Sequence, residues 1–146
     1  MSLTLTPTVT ASSAYAAGAC VGGLLNFTHD IDSSLEGILE SVSISVKSIQ
    51  TTAFKLYTFS ALPSNSTFTD KVVPAINAAD VPLVTGVYQF PVADSGLGTM
   101  TIYNLDAIAK ALQLASRSVY AVLVAVGTPT FASASDVIVT LLTLPV

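Results

Sequence analysis

His29, the sole histidine of this chain, stands in "THDID" beside Asp30 and Asp32, and the sole cysteine, Cys20, stands in the apolar run "AAGACVGGLL". Asp30 and Asp32 could offer oxygen ligands to a divalent cation. An EF-hand loop, however, also needs a central Gly and a distal Glu, and neither is here, so the segment reads as a solvated turn. A zinc site needs four ligands of the Cys and His kind, and one of each does not supply them. A catalytic triad would have to use His29 as its base, and no serine stands in a "GxSxG" setting. Ser95 in "DSGLG" reads as a turn serine. "GLGT", Gly96 to Thr99, lacks the Lys of a phosphate-binding loop and a following helix, so it reads as a hairpin turn. "NFT" and "NST", starting at Asn26 and Asn65, match the glycosylation pattern, which matters only in a eukaryotic secretory route. One cysteine excludes an internal disulfide, and its apolar setting predicts a buried, inert thiol. The sequence therefore nominates no catalytic residue, no cofactor and no metal, and the expectation is a protein that is not an enzyme.

With no reaction to arrange, the surface becomes the informative feature. Charged residues make up 10% of the 146 residues and hydrophobic ones 51%, against about 25% charged in an average domain. A folded monomer of this mass exposes roughly 7,000 Å². Five basic and nine acidic side chains, fourteen in all, must serve that area, together with 17 Ser and 17 Thr. Such a surface favours association, because few charges have to be desolvated when two copies meet. A net charge of -4 with five Lys and Arg gives no basic stripe and predicts no direct nucleic-acid contact. No window offers the 18 unbroken apolar residues of a spanning helix, so no membrane partner is expected. The N-terminal "MSLTLTPTVT" has no basic region before an apolar stretch and does not read as a secretory signal.

The elements read as strands. "SVSISVKSIQ", Ser41 to Gln50, alternates serine with Val42, Ile44 and Val46, which puts the apolar set on one face and Ser41, Ser43 and Ser45 on the other. The serine face is either exposed and uncharged or covered by something other than this chain. Further segments with strand character run from Val21 to Phe27, Ile38 to Ile49, Ala53 to Ser60, Val84 to Val92, Thr99 to Tyr103, Ser118 to Val126 and Val137 to Leu144. Turn chemistry separates them at His29 to Ser34, Leu62 to Ser66, Asp94 to Gly98 and Gly127 to Thr130. This spacing predicts a single all-β domain, a sandwich or barrel. "NAADVPLV" supports at most one short helical turn before Pro82. Leu105 to Ala115 fits both a helix and alternation. Residues 1–13 form a Thr-rich arm with Pro7, readable as an edge strand or as a weakly held extension that orders against a partner, ahead of a sandwich at 14–146.

Aromatic anchors are few. The chain has no Trp, and Phe68 and Phe131 sit in polar loops, "STFTD" and "PTFAS", where they serve either as plugs packing back on the sandwich or as anchors into a neighbour.

Three stretches taken together, "YAAGACVGGLLNF" (Tyr15 to Phe27), "FKLYTFSALPSNSTFTDKVVPAINAADVPLVTGV" (Phe54 to Val87) and "VLVAVGTPTFASASDVIVTLLTL" (Val122 to Leu144), resemble small virion proteins of tailed double-stranded DNA bacteriophages. These include capsid cement or decoration proteins with a jelly-roll fold. Many members of that family carry Asp after the glycine of the first stretch, where this chain has Ala19 and Cys20. The resemblance implies an antiparallel, jelly-roll-like sandwich of about eight or nine strands, with a strand over the ambiguous Leu105 to Ala115 region. It further implies a location on the capsid exterior after synthesis in the bacterial host cytoplasm, the major capsid protein as partner, and a homodimer or homotrimer. No functional residue is carried over by it. The candidate interface residues are Leu3, Leu5 and Val9 of the arm, Ser41, Ser43 and Ser45 of the serine face, and Phe68 and Phe131. The alternative function is a host- or glycan-binding module of a tail or fibre, because jelly rolls also serve as lectins.

Overall fold

The computed structural model describes residues 1–28, 36–91, 93 and 95–145. Their strands are β1 (Ser2–Leu5), β2 (Cys20–Thr28), β3 (Glu36–Val46), β4 (Phe54–Phe59), β5 (Val84–Phe90), β6 (Ser95–Leu97), β7 (Met100–Leu105), β8 (Lys110–Gln113), β9 (Ser118–Ala125) and β10 (Val137–Pro145). The first sheet runs β1-β10-β3-β7-β6, with β8 also paired to β3, and the second runs β2-β9-β4-β5. All the pairings are antiparallel. With β6 and β8 set aside, eight strands remain. In chain order, the first sheet then reads first, eighth, third, sixth, and the second reads second, seventh, fourth, fifth. That is a jelly roll, in which two Greek keys close a sandwich.

The period of two explains where the core lies. Val42, Ile44 and Val46 of β3 are fully buried, and Ser41, Ser43 and Ser45 between them point outward and are half-buried. From the neighbouring β10 come Val139 and Leu141, and from the facing sheet Leu25, Leu56 and Leu123, all members of one core between the sheets. Each such side chain contributes about 1.5–3 kcal/mol by leaving water. Phe54 and Tyr103 meet edge to face across the sandwich at 5.2 Å, and the Tyr103 hydroxyl donates to the Thr52 carbonyl at 2.6 Å, so the ring's polar end is satisfied.

The arm is the first strand of the jelly roll, which corrects its reading as a weakly held extension. Leu3 pairs with Leu141 in register. Leu3, Pro7 and Val9 are buried, and Thr4, Thr6, Thr8 and Thr10 are exposed. The chain continues to be held beyond β1: Val9 N donates to Ala134 O at 3.0 Å and Ser12 N to Phe131 O at 2.8 Å. Alternation alone produces this, since every second residue of the arm is apolar and the domain's own core lies on that side. Pro7 follows the strand and needs no ladder donor.

Two other segments resolve differently from the simplest reading. Between Leu105 and Ala115 a four-residue strand forms, β8, because β7 pairs only with the later half of β3 and leaves Glu36–Leu39 open. The chain turns back to fill that gap through Ala107 and Ala109, at φ 54° and 50°. The Asp94 to Gly98 turn is smaller than its sequence suggests: Ser95–Leu97 is a strand, and a two-residue turn at Gly98 and Thr99 joins Leu97 to Met100. Gly98 sits at φ +62°, a conformation that glycine adopts without strain. The "NAADVPLV" segment makes one 3-10 turn, Val81–Leu83, with Pro82 inside it.

Candidate interaction surfaces

The outward face of the six-stranded sheet carries the serine row at its centre. β3 is flanked by β10 and β7, so the serines extend into rows across neighbouring strands: Ser2, Leu142 and Ser41; Thr4, Thr140, Ser43 and Asn104; Ile138, Ser45 and Ile102. No charged side chain interrupts these rows. The hydroxyls of Thr4 and Thr140 hydrogen-bond to each other at 3.1 Å, and Asn104 Nδ2 donates to Asp106 Oδ2 at 2.7 Å beside the face. Hydroxyls and amides can donate or accept, so such a face can be covered by many partners at a smaller desolvation cost than a charged one.

The loops are fixed by carboxylates turned back into the protein. Asp70 Oδ1 accepts from the Tyr15 hydroxyl at 2.6 Å and from Gly22 N at 2.8 Å, and its Oδ2 accepts from Thr10 Oγ1 at 2.8 Å. The Tyr15 hydroxyl in turn accepts from Thr10 N at 2.8 Å. One side chain thus ties the arm, β2 and the 61–80 loop together. Burial, then the bond to Asp70, pushes the Tyr15 phenol up to about 12. Asp136 plays a similar part in the turn before β10, where it accepts from Ala132 N at 3.1 Å and from Ser48 Oγ. Asp80 accepts from Ser66 Oγ at 2.6 Å and from Asn65 N at 3.0 Å, which closes the base of the 61–80 loop. The Ser66 bond is the largest of the influences that hold the Asp80 carboxyl below the usual carboxylate range, with desolvation opposing it.

Cys20 is fully enclosed, and burial, reinforced by the charge of Asp70, pushes its thiol up to about 11. A thiol in that state carries almost no thiolate at neutral pH and is a poor nucleophile.

The four-stranded sheet also has an apolar outward face. Along β9, "SVYAVLVA", nearly every residue is buried on one side or the other, and Val122 packs outward with Cys20 and Phe59 in a second cluster, joined by Tyr57, Phe68 and Val84. The 61–80 loop covers part of this face. Its chain is pinned to β2, where Cys20 N donates to Val72 O at 2.9 Å and Lys71 N to Cys20 O at 2.8 Å, and to itself by the Thr67 and Ala75 pair. What the loop leaves uncovered is a groove of about 500 Å³. Its floor is the outward side of β4 and β9, with Tyr57 and Val122 near its middle, and Pro74 and Ile76 form its wall.

The candidate interface residues separate into two groups. Ser41, Ser43 and Ser45 lie together on the uncharged face and are accessible. Leu3, Val9 and Phe131 are buried in the chain's own core, so they are corrected from interface to core residues of the single subunit. Leu5 is partly buried and packs against the same core. Phe131 is fully buried and meets Tyr15 edge to face at 5.1 Å, a plug in the core, whereas Phe68 is half-buried on the outer face of the four-stranded sheet, where it meets Phe59 at 5.8 Å. His29, Asp30 and Asp32, with the solvated turn expected there, lie outside the described residues. Among the described residues no cluster of three His, Cys, Asp or Glu side chains could hold a metal ion, and no helix is long and apolar enough to cross a membrane. The groove was not anticipated from sequence; the unbroken apolar run of β9, too apolar for a strand with one wet face, is the signal that points to it.

Comparison with protein-family models, with curated proteins and with solved structures gave no match.

Proposed function

We propose that this chain is a non-enzymatic virion structural protein, a capsid cement or decoration protein that self-associates and bridges major capsid protein subunits on the outside of the shell. The observation that carries the reading is the uncharged centre of the outward face of the six-stranded sheet, where Ser41, Ser43 and Ser45 are continued by Thr140, Thr4 and Asn104 on the flanking strands. A face that only had to meet water would gain from Lys and Glu, and this one has none in its three rows. The choice of the major capsid protein as partner rests on the resemblance of the three stretches Tyr15 to Phe27, Phe54 to Val87 and Val122 to Leu144 to phage decoration proteins.

Ser43 stands at the centre of the face, on a strand paired on both sides, so Ser43→Glu leaves the hydrogen-bonded ladder and the core untouched. Once covered by a partner, the introduced carboxylate costs several kcal/mol. The experiment adds purified protein to undecorated phage shells and images them. Lattice-ordered density on the head with the native chain, and its loss with Ser43→Glu at unchanged circular dichroism, supports the reading. Density confined to the tail, or glycan binding without shell binding, refutes it in favour of a receptor-binding module.

A further inference from the structure

The groove on the outward face of the four-stranded sheet has two ends of different character. Lys55 lines one end, near Val126 and Gly18, and Phe59, Phe68 and Val84 line the other. Lys55 is half-buried, and among the described residues it has no hydrogen-bond or ion-pair partner. Only Lys55 and Tyr57 bring polar side chains to the lining, and no acidic residue is present. Of the lining residues, Ile76 and Val126 are 48% and 46% exposed.

The walls also restrict what could fill it. β4 is paired on both sides, to β9 and β5, and β9 to β2 and β4, so the floor has no free backbone donors or acceptors. A peptide laid there would bury its own N–H and C=O groups without partners, at a cost for each group. An occupant with an unbranched hydrocarbon body and a single anionic end has no such cost. The four residue steps from Lys55 to Phe59 measure about 13 Å, the extended length of a chain of about ten carbons. A volume of about 500 Å³ lies within the usual range for small-molecule sites.

We propose that this groove binds a medium-chain aliphatic carboxylate, with the carboxylate on the Lys55 ammonium and the alkyl chain running along the outward side of β4 and β9 to Phe59 and Phe68. Tyr57 lies two residues from Lys55 on the same side of β4, where its hydroxyl can serve the head end. This site is on the opposite sheet from the serine face, so it stands or falls apart from the assembly reading.

The test titrates decanoate into the intact protein below its micellar concentration, by calorimetry and by methyl NMR shifts. Expected are saturable one-to-one binding, shifts centred on Val122, Val124 and Ile76, and an affinity for decanoate about tenfold above that for decan-1-ol. Lys55→Met should remove that advantage and leave decanol binding unchanged. Absence of saturable binding, shifts lying away from these residues, equal affinity for acid and alcohol, or an unchanged preference in Lys55→Met each overturns the proposal. Because the NMR map is made on the native protein, the test decides the matter whether or not any variant folds.

Discussion

Replacing Tyr15 with Phe removes one oxygen atom from the hub that joins the arm to the rest of the sandwich. The ring stays: it is buried and packs edge to face on Phe131 at 5.1 Å. Lost are the hydroxyl's bond to the Asp70 carboxylate at 2.6 Å and the acceptor for Thr10 N at 2.8 Å. A hydrogen bond to a charged group contributes about 1.5–3 kcal/mol, and an amide left without its partner adds up to about 1 kcal/mol where water reaches it only in part. Asp70 keeps Thr10 Oγ1 and Gly22 N, so the remaining hub limits the loss, and the expected total is about 2–3 kcal/mol. For a domain of this size that lowers Tm by about 5–12 °C. Urea unfolding followed by circular dichroism measures it, and an unchanged m-value shows that the native state is otherwise intact. The pH dependence supplies a second signature. A phenol whose pKa is raised from 10.0 to about 12 on folding stabilises the fold fully below pH 10, and that contribution is lost as pH rises through about 12. Tyr103, raised to about 12 by burial, acts in the same direction. Tyr15→Phe should therefore lose less stability between pH 10 and 12 than the native chain does. A destabilisation below about 0.5 kcal/mol, the level of an ordinary surface substitution, with an unaltered alkaline limb, would refute the hub.

Gly22→Ala and Gly98→Ala form a matched pair: both glycines have positive φ, but a Cβ on Gly22 would lie 2.3 Å from Pro7 Cβ, and one on Gly98 meets nothing within 4 Å. Thermal unfolding should show a loss of about 1 kcal/mol at Gly98 and several at Gly22. Deleting residues 2–12 removes β1 and the buried Leu3 and Val9, each comparable to a core truncation of about 2–5 kcal/mol, so the product should lack the native circular dichroism spectrum; a cooperative, native-like fold would show that the arm is dispensable after all. Asp80, with its carboxyl lowered on folding, stabilises the chain above the unfolded-state value near pH 4, and that contribution disappears as pH falls through the lower folded value. Asp80→Asn should flatten this acid limb in equilibrium unfolding between pH 5 and 2, and an unchanged limb would assign it to other carboxylates.

Periodicity carried most of the fold. The serine and aliphatic alternation of Ser41 to Val46 set the orientation of β3, and "GLGT" gave the β6–β7 turn, because both depend on neighbours in sequence. The arm was legible only as two alternatives: its alternation of threonine with Leu3, Leu5 and Val9 is what an edge strand needs, but pairing with Leu141 involves a contact across the whole chain. Leu105 to Ala115 was ambiguous for a similar reason. Its residues favour a helix, and what made Lys110–Gln113 a strand was the unpaired first half of β3, a tertiary vacancy that propensity does not register. The groove was hidden because a sequence indicates which residues are apolar and not which loop will cover them. The 61–80 loop reads as turns, and its docking rests on the bonds of its Asp70 to Thr10, Tyr15 and Gly22 and of its Lys71 and Val72 to the backbone of Cys20, partners far from it in sequence.

The two outward faces of the sandwich solve the same shortage of charge in different ways. On the six-stranded sheet, Ser, Thr and Asn hold water without fixing its geometry, so the face stays wetted when free and can be covered without stranding an ion. On the four-stranded sheet the outward side chains are Val122, Val124, Tyr57 and Phe59, and a wet face of that composition would drive indiscriminate association. The 61–80 loop folds over part of it. Three carboxylates in or beside the loops, Asp70, Asp80 and Asp136, are committed to holding such covers in place, which is one reason so few charges are left for the surface. A protein built this way keeps its least specific surface behind a loop and offers its most adaptable one, and the two can be altered separately because no strand carries both.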